Sequence, residues 1–209
     1  GMDAEDARVF ITAYKPSNTT IQVYGKILNF ADGSVFEDKD WTLMTQVTSA
    51  SVYSDSLNEQ DFREYEYTFP KTPPSTKLSG VVTTNSNTTI TGVDTTFSSS
   101  IVAGDLVKIV KSNTETDYDL LPVVSVANNT SLTVTSNTSF TGTGNTIELV
   151  TQKKAAFKYT RNNYIVRYHD SNNAAYDTYK YMAVKIVLLS PYNYMVPTLN
   201  DVRVLAVSV

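Results

Sequence analysis

Apolar and polar side chains alternate with a period of two through both flanks of this chain. In the segment 62–69, Tyr65, Tyr67 and Phe69 share one face, and two glutamates and a threonine share the other. Successive side chains of a β-strand point to opposite sides, so this alternation predicts strands, whereas helical spacing is nearly absent. The same alternation occurs in residues 21–23, 179–188 and 201–207.

Turn signals separate these segments. Asp32-Gly33 is a strong turn pair, and Ser171-Asn172-Asn173 and Pro191-Tyr192-Asn193 are weaker ones. Several strands at short spacing with turns between them are typical of antiparallel sandwiches and jelly rolls. We therefore expect an all-β protein whose aromatic-rich part forms an antiparallel β-sandwich or jelly roll, with the tryptophan Trp41 in its core.

A break in composition divides the chain. Only Phe97, Tyr118 and Phe140 are aromatic between residues 76 and 150, and that stretch is rich in Thr, Ser and Asn. The pair Pro73-Pro74 precedes the change and cannot donate ladder hydrogen bonds, which indicates a linker. The middle of the chain is therefore predicted to fold separately from its flanks.

We interpret the flanks, residues 7–72 plus 152–209, as one discontinuous host domain, with an inserted domain at 76–150. The alternative is three consecutive units along a rod. Insertion is favoured because flanks of about 65 and 58 residues are each small for a self-sufficient β core. Short strand patterns at 81–84, 106–110, 121–126, 131–134 and 146–150 predict a small β-barrel or compact β-sandwich for the inserted domain.

The residues provide little for catalysis or for a cofactor. His169 is the only histidine, there is no cysteine, and no Gly-x-Ser-x-Gly elbow is present, so we expect no catalytic residue, no metal and no cofactor. His169 is expected at a loop edge. Glu64 and Glu66 share a strand face, so they cannot lie on both sides of a glycosidic bond. These observations predict a protein that is not an enzyme.

An acidic segment offers one alternative, because hard cations such as calcium prefer several oxygen ligands. Its residues do not have EF-hand spacing, and a solvated turn is favoured over a calcium site. The segment contains Asp32, Glu37, Asp38 and Asp40, with Lys39 among them.

The inserted segment contains a recognisable string. Residues 89–97 read Thr-Ile-Thr-Gly-Val-Asp-Thr-Thr-Phe, followed by Gly104-Asp105 and a valine-rich hairpin around Asn128-Asn129. This resembles a small β module of phage tail, fibre and baseplate proteins, with Asp94 standing where that pattern has its second glycine. The flanks are similar to virion structural proteins of contractile-tailed phages, especially marine ones, over residues 13–16, 21–29, 36–41, 184–190 and 196–206.

The resemblance implies a tail, baseplate or fibre role, localisation in the virion after assembly in the host cytoplasm, and other virion proteins or copies of the chain as partners. The formal net charge of −4, with both signs mixed along the chain, disfavours nucleic acid as a partner. No apolar run is long enough to span a bilayer, so membrane insertion is not expected.

Tyrosines are the strongest remaining signal for a binding surface. Exposed tyrosines suit protein interfaces and sugar stacking. The alternative is a purely structural role, in which the tyrosines pack within the sheets. We therefore keep two functions open: a non-enzymatic virion module for assembly or attachment, as a homo-oligomer or with other virion proteins, and a carbohydrate-binding module for host-surface glycans. The candidate contacts are Tyr176, Tyr179, Tyr181, Tyr192 and Tyr194.

Overall fold

The computed structural model describes residues 3–112, 114, 117–159 and 165–208 of the 209-residue chain. The chain divides into two compact units. The host unit comprises Gly1–Thr72, Lys154–Tyr168 and Ala175–Val209, and the barrel unit comprises Pro73–Lys153 and His169–Ala174. The segment 169–174 thus groups with the barrel unit, although composition assigned it to the host domain.

The regular structure of the described residues is almost entirely antiparallel strand, which confirms the all-β prediction. Two short helical segments are present, a 3-10 turn at Phe36–Asp38 and a single α-turn at Phe97–Ser100, and no helix in the described ranges is long and apolar enough to cross a bilayer. The strands are β1 Asp6–Tyr14, β2 Thr20–Leu28, β3 Thr42–Leu43, β4 Thr45–Gln46, β5 Arg63–Thr68, β6 Ser75–Lys77, β7 Val81–Asn85, β8 Thr89–Val93, β9 Leu106–Val110, β10 Tyr118–Asn128, β11 Ser131–Val134, β12 Thr141–Val150, β13 Phe157–Tyr159, β14 Ile165–His169, β15 Ala175–Tyr176, β16 Tyr181–Leu189 and β17 Thr198–Val207.

The host unit is a β-sandwich. One sheet has the strand order β17-β1-β5-β4, the other has the order β16-β2-β3, and β13, β14 and β15 form a small third sheet. All three contribute to one apolar cluster, which includes Ile11, Val23, Tyr65 and Tyr168. Burial of this face explains why strand β5 places its tyrosines inward and its glutamates outward, as the alternation predicts.

The barrel unit closes on itself. Its strands follow the order β12-β7-β8-β11-β10-β9, and β9 pairs back to β12. The short strand β6 pairs with the end of β12, at residues 148–150. Val82, Ile90, Leu132 and Ile147 are fully buried at its centre. Closure removes the free strand edges of the six barrel strands, so these strands have no unpaired side on which to add a further strand.

A left-handed turn joins β8 to the α-turn. Asp94 has a φ of 58°, the conformation that a glycine adopts most easily. The pattern of the phage β module has its second glycine at this position. The backbone does adopt a positive φ here, with an aspartate in place of the glycine. Gly80 packs against this turn, because a Cβ on Gly80 would lie 2.3 Å from the Val93 carbonyl oxygen.

Candidate interaction surfaces

Strands β16 and β17 are edge strands of the two main sheets of the host unit, and together we call them the open edge. On β17, Val204 lies opposite Val9 and Val202 lies opposite Ile11. Directly opposed residues of an antiparallel pair share a face, so both β17 valines lie on the same face as the fully buried Val9 and Ile11. Nevertheless Val202 is 40% exposed and Val204 is 45% exposed.

The other sheet shows the same feature. On β16, Ile186 lies opposite the buried Val23 and Leu188 lies opposite the buried Ile21. The four apolar residues of this β16 face are only partly buried against the core cluster; they are Met182, Val184, Ile186 and Leu188. Both sheets thus present part of their core face to solvent at the open edge.

The opposite face of β17 carries charge. Arg203 forms ion pairs with Glu64 and with Asp201, the latter with an Nε–Oδ2 distance of 3.3 Å, and its guanidinium lies 5.5 Å from the ring centre of Phe10. All three charged side chains are about half exposed. Solvated pairs of this kind contribute little to stability, so these charges remain available to a partner.

The loop between β16 and β17 carries two of the predicted tyrosines. The rings of Tyr192 and Tyr194 lie 5.4 Å apart, and Tyr194 is 80% exposed. Tyr194 also lines a cavity of about 460 Å³ whose other lining residues include Tyr14, Glu59, Phe62 and Val196. Tyr192 and Tyr194 therefore form an exposed aromatic pair beside a surface cavity.

The other three candidate tyrosines lie elsewhere. Tyr179 is buried, and its hydroxyl donates a hydrogen bond of 2.9 Å to the carbonyl oxygen of Asp6, so its assignment as a surface contact is wrong. Tyr176 is half-buried, with its ring stacked 5.3 Å from that of Tyr168. Tyr181 is exposed on β16 and lines a shallow apolar depression with Leu28, Phe36, Lys180 and Met182.

A second surface combines aromatic rings with lysines, and we call Tyr24, Lys26, Phe36, Trp41 and Lys185 the aromatic–lysine surface. The ammonium of Lys26 lies 4.6 Å from the ring centre of Phe36 and 5.1 Å from that of Trp41. The ammonium of Lys185 lies 4.4 Å from Tyr24 and 4.8 Å from Trp41. Trp41 is therefore flanked by two cations and only half-buried, so it does not belong to the core as expected.

In the part of the chain that the structure describes, neither Lys26 nor Lys185 forms an ion pair with a carboxylate. Lys26 is only 9% exposed, yet no carboxylate of the described residues lies within 4.0 Å of the ammonium of Lys26 or of Lys185. Aromatic faces stabilise an ammonium less than a carboxylate does and leave its positive charge uncompensated. The aromatic–lysine surface therefore favours an anionic ligand over a neutral one.

The acidic segment is solvated only in part: Glu37 and Asp38 are exposed as expected, but Asp32 and Lys39 are buried. Asp32 and Lys39 form a fully buried ion pair. The hydroxyl of Tyr168 donates a hydrogen bond of 2.6 Å to Asp32 Oδ2, and the amide of Ser34 donates one of 2.9 Å to Asp32 Oδ1. Burial raises the pKa of Asp32, but the hydrogen bonds from Lys39, Tyr168 and Ser34 outweigh it and hold the pKa well below its usual value.

His169 is likewise buried, at the end of β14, and does not lie at a solvated loop edge. Its amide donates a hydrogen bond of 3.0 Å to the carbonyl oxygen of Lys153. In the described ranges no three His, Asp or Glu side chains lie close enough together to hold a metal ion. The oxygen of Asp32 that could have bound a cation is instead occupied by Lys39 and Tyr168.

No protein-family model, curated protein or solved structure matches this chain. The two surfaces are thus the basis for inferring function. Sequence reasoning missed the aromatic–lysine surface, although Tyr24 and Lys26 occupy alternate positions of one strand and therefore share a face. The open edge gave no such local signal, because exposure of β17 depends on which strand, if any, lies beside it.

Proposed function

We propose that this chain is a non-enzymatic structural module of a phage virion, in the tail, baseplate or fibre, and that it assembles through the open edge. The observation that carries the proposal is the exposure of Val202 and Val204 on the core face of the host unit. An edge strand such as β17, which pairs with β1 on one side only and carries exposed apolar side chains, is a template for pairing with another chain. The virion setting rests on the resemblance of both domains to phage structural proteins.

The two units support different tasks. The barrel strands pair with each other around a closed ring, so the barrel unit is a rigid, stable element that adds bulk or decoration. The host unit keeps two long edge strands, β16 with 9 residues and β17 with 10. Assembly therefore belongs to the host unit, and attachment or decoration belongs to the barrel unit.

The proposal is tested by measuring how much of the chain is incorporated into virions. Virions from a phage encoding this chain are purified and their proteins identified by mass spectrometry, with wild type compared with Val204→Lys. We expect wild type in the particles and a loss of at least tenfold for Val204→Lys, because a lysine there opposes apolar burial. The matched control is Val93→Lys, which changes an exposed barrel valine and is expected to incorporate normally. Absence of the wild-type chain from purified particles would contradict the proposal.

The second candidate is a carbohydrate-binding module, and the aromatic–lysine surface is the observation that favours it. Rings of Tyr24 and Trp41 offer apolar faces for sugar rings, and the uncompensated Lys26 and Lys185 favour saccharides that carry carboxylates or sulfates.

A glycan array containing neutral and acidic host-surface saccharides tests this candidate. Binding confined to acidic glycans, lost in Trp41→Ala and retained in Tyr194→Ala, would support it. No binding to any saccharide would remove it.

A further inference from the structure

We propose that a second copy of this chain covers the open edge, through antiparallel pairing of β17 with the partner's β17 about a two-fold axis at Val202. This inference rests on the proposed assembly function and names the partner. The pairing would join two four-stranded sheets into one continuous sheet and cover the core face that Val202 and Val204 now expose.

The two-fold symmetry restricts the possible registers. In a continuous antiparallel sheet, opposed residues share a face, so the axis must pass through a residue of β17 and pair that residue with its own copy. With the axis at Val202, Val202 contacts the partner's Val202 and Asp201 lies opposite the partner's Arg203. The pairing therefore places Val202 against its own copy on the core face and opposite charges on the other face, twice by symmetry. Val204 lies opposite the partner's Asn200, the residue at which β17 bulges away from β1.

Neighbouring registers lack the charge complementarity, although the register centred on Arg203 would pair Val202 with the partner's Val204. With the axis at Arg203, the arginine would oppose its own copy, and like charges directly opposite each other destabilise a sheet. With the axis at Val204, Arg203 would oppose Leu205 of the partner and Asp201 would oppose the partner's Val207, so neither charge would gain a partner. The charges of β17 thus select the register centred on Val202.

The same reasoning favours β17 over β16 as the pairing strand. Lys185 lies at the middle of β16, and the register that pairs the full length of that strand would bring two lysines together. On β17 the central charges are an acid and a base that are two residues apart, Asp201 and Arg203, and both are about half exposed. Self-pairing therefore favours the strand that carries both signs.

Two single-cysteine variants test the register, since the chain has no cysteine of its own. In the proposed pairing Val202→Cys lies opposite its copy, with a Cα separation of about 4.5–5.5 Å that a disulfide spans. Val204→Cys is the matched control on the same face of the same strand. Its two copies would be four residues apart along the strand, about 14 Å at roughly 3.4 Å per residue, which is too far for a disulfide.

Mild oxidation at micromolar protein, followed by non-reducing gel electrophoresis, gives the readout, and light scattering of the wild type gives the mass in solution. We expect a wild-type dimer and at least tenfold more crosslinked dimer for Val202→Cys than for Val204→Cys. A monomeric wild type, equal crosslinking of the two variants, or preferential crosslinking of Val204→Cys would each overturn the inference.

The result is separable from the proposed function. A monomer that is nevertheless found in purified virions would refute self-pairing and leave the assembly role in place. A Val202-crosslinked dimer that is absent from virions would support self-pairing and refute the virion role.

Discussion

Lys39 and Asp32 form an ion pair inside the host unit, with their side chains 0% and 1% exposed. The ammonium of Lys39 also lies 4.9 Å from the ring centre of Tyr168, whose hydroxyl donates to the same carboxylate. The pair therefore connects the turn after β2 to strand β14. Removing charges from water is costly, so a buried pair is stable only while both partners remain.

Replacing Asp32 with Asn should destabilise the host unit strongly. The change leaves the ammonium of Lys39 buried without a carboxylate, and such losses cost about 3–5 kcal/mol. Urea unfolding followed by the fluorescence of Trp41, the only tryptophan, measures the host unit. The control is Glu66→Gln, which removes the exposed pair with Arg8 and should change stability by less than about 1 kcal/mol. Equal effects of the two variants would contradict the structural importance of the buried pair.

Acid should destabilise the wild type more steeply than Asp32→Asn. Folding holds the pKa of Asp32 below its value of about 3.9 in an unfolded chain, so the unfolded state binds more protons as the pH falls. The stability from this carboxylate is present above about pH 4 and is lost as the pH falls below it. Urea midpoints between about pH 2 and 6 should converge for the two proteins at low pH. Parallel profiles over that range would refute this assignment.

Alkali should destabilise the host unit through buried tyrosines. Burial raises the pKa of Tyr179 to about 12, whereas an unfolded tyrosine ionises near pH 10. The stability that this neutral hydroxyl contributes is present below about pH 10 and is lost as the pH rises towards 12. Tyr179→Phe should show a shallower decline of the urea midpoint over that range, whereas Tyr194→Phe, at an exposed ring, should follow the wild type. A Tyr179→Phe profile as steep as that of the wild type would contradict the prediction.

Two glycines of the barrel unit allow the cost of a left-handed backbone to be measured separately from the cost of a steric clash. Gly80 and Gly104 both have positive φ, but only Gly80 has backbone atoms where a Cβ would go. Gly104→Ala should cost about 1–2 kcal/mol from the left-handed backbone alone, and Gly80→Ala should cost more. Amide hydrogen exchange in β7 and β8 gives the measurement. A smaller effect for Gly80→Ala than for Gly104→Ala would show that the turn moves to accommodate the methyl group.

Local alternation was sufficient to predict individual strands. It predicted β9 and β11 with the same bounds and placed Tyr65, Tyr67 and Phe69 on a buried face, because period two and turn residues are properties of a short segment. It also placed Val202 and Val204 on one face of β17. It could not predict that this face stays partly exposed, since exposure depends on strand order, which joins residues far apart in the chain.

The wrong predictions have the same cause. Asp32 of the acidic segment seemed solvated because its hydrogen-bond partner Tyr168 lies 136 residues away in the chain. Tyr179 seemed available for binding because its contact with Asp6 spans 173 residues. Charge and aromatic content identify side chains with binding capacity, but only the packing of distant segments decides which of them remain at the surface.

The ends of the inserted segment lie side by side within the barrel unit: the Thr151 amide donates a hydrogen bond of 2.9 Å to the Pro74 carbonyl oxygen, and Ser75 lies opposite Val150. In the host unit, the Lys158 amide likewise donates to the Pro70 carbonyl oxygen at 2.7 Å. Hydrogen bonds thus hold together the two ends of the inserted segment and, separately, the two host segments that flank it. A single recombination event could therefore insert, delete or replace the barrel without changing the strand pairing of the host unit. We expect relatives that carry other inserts at this position.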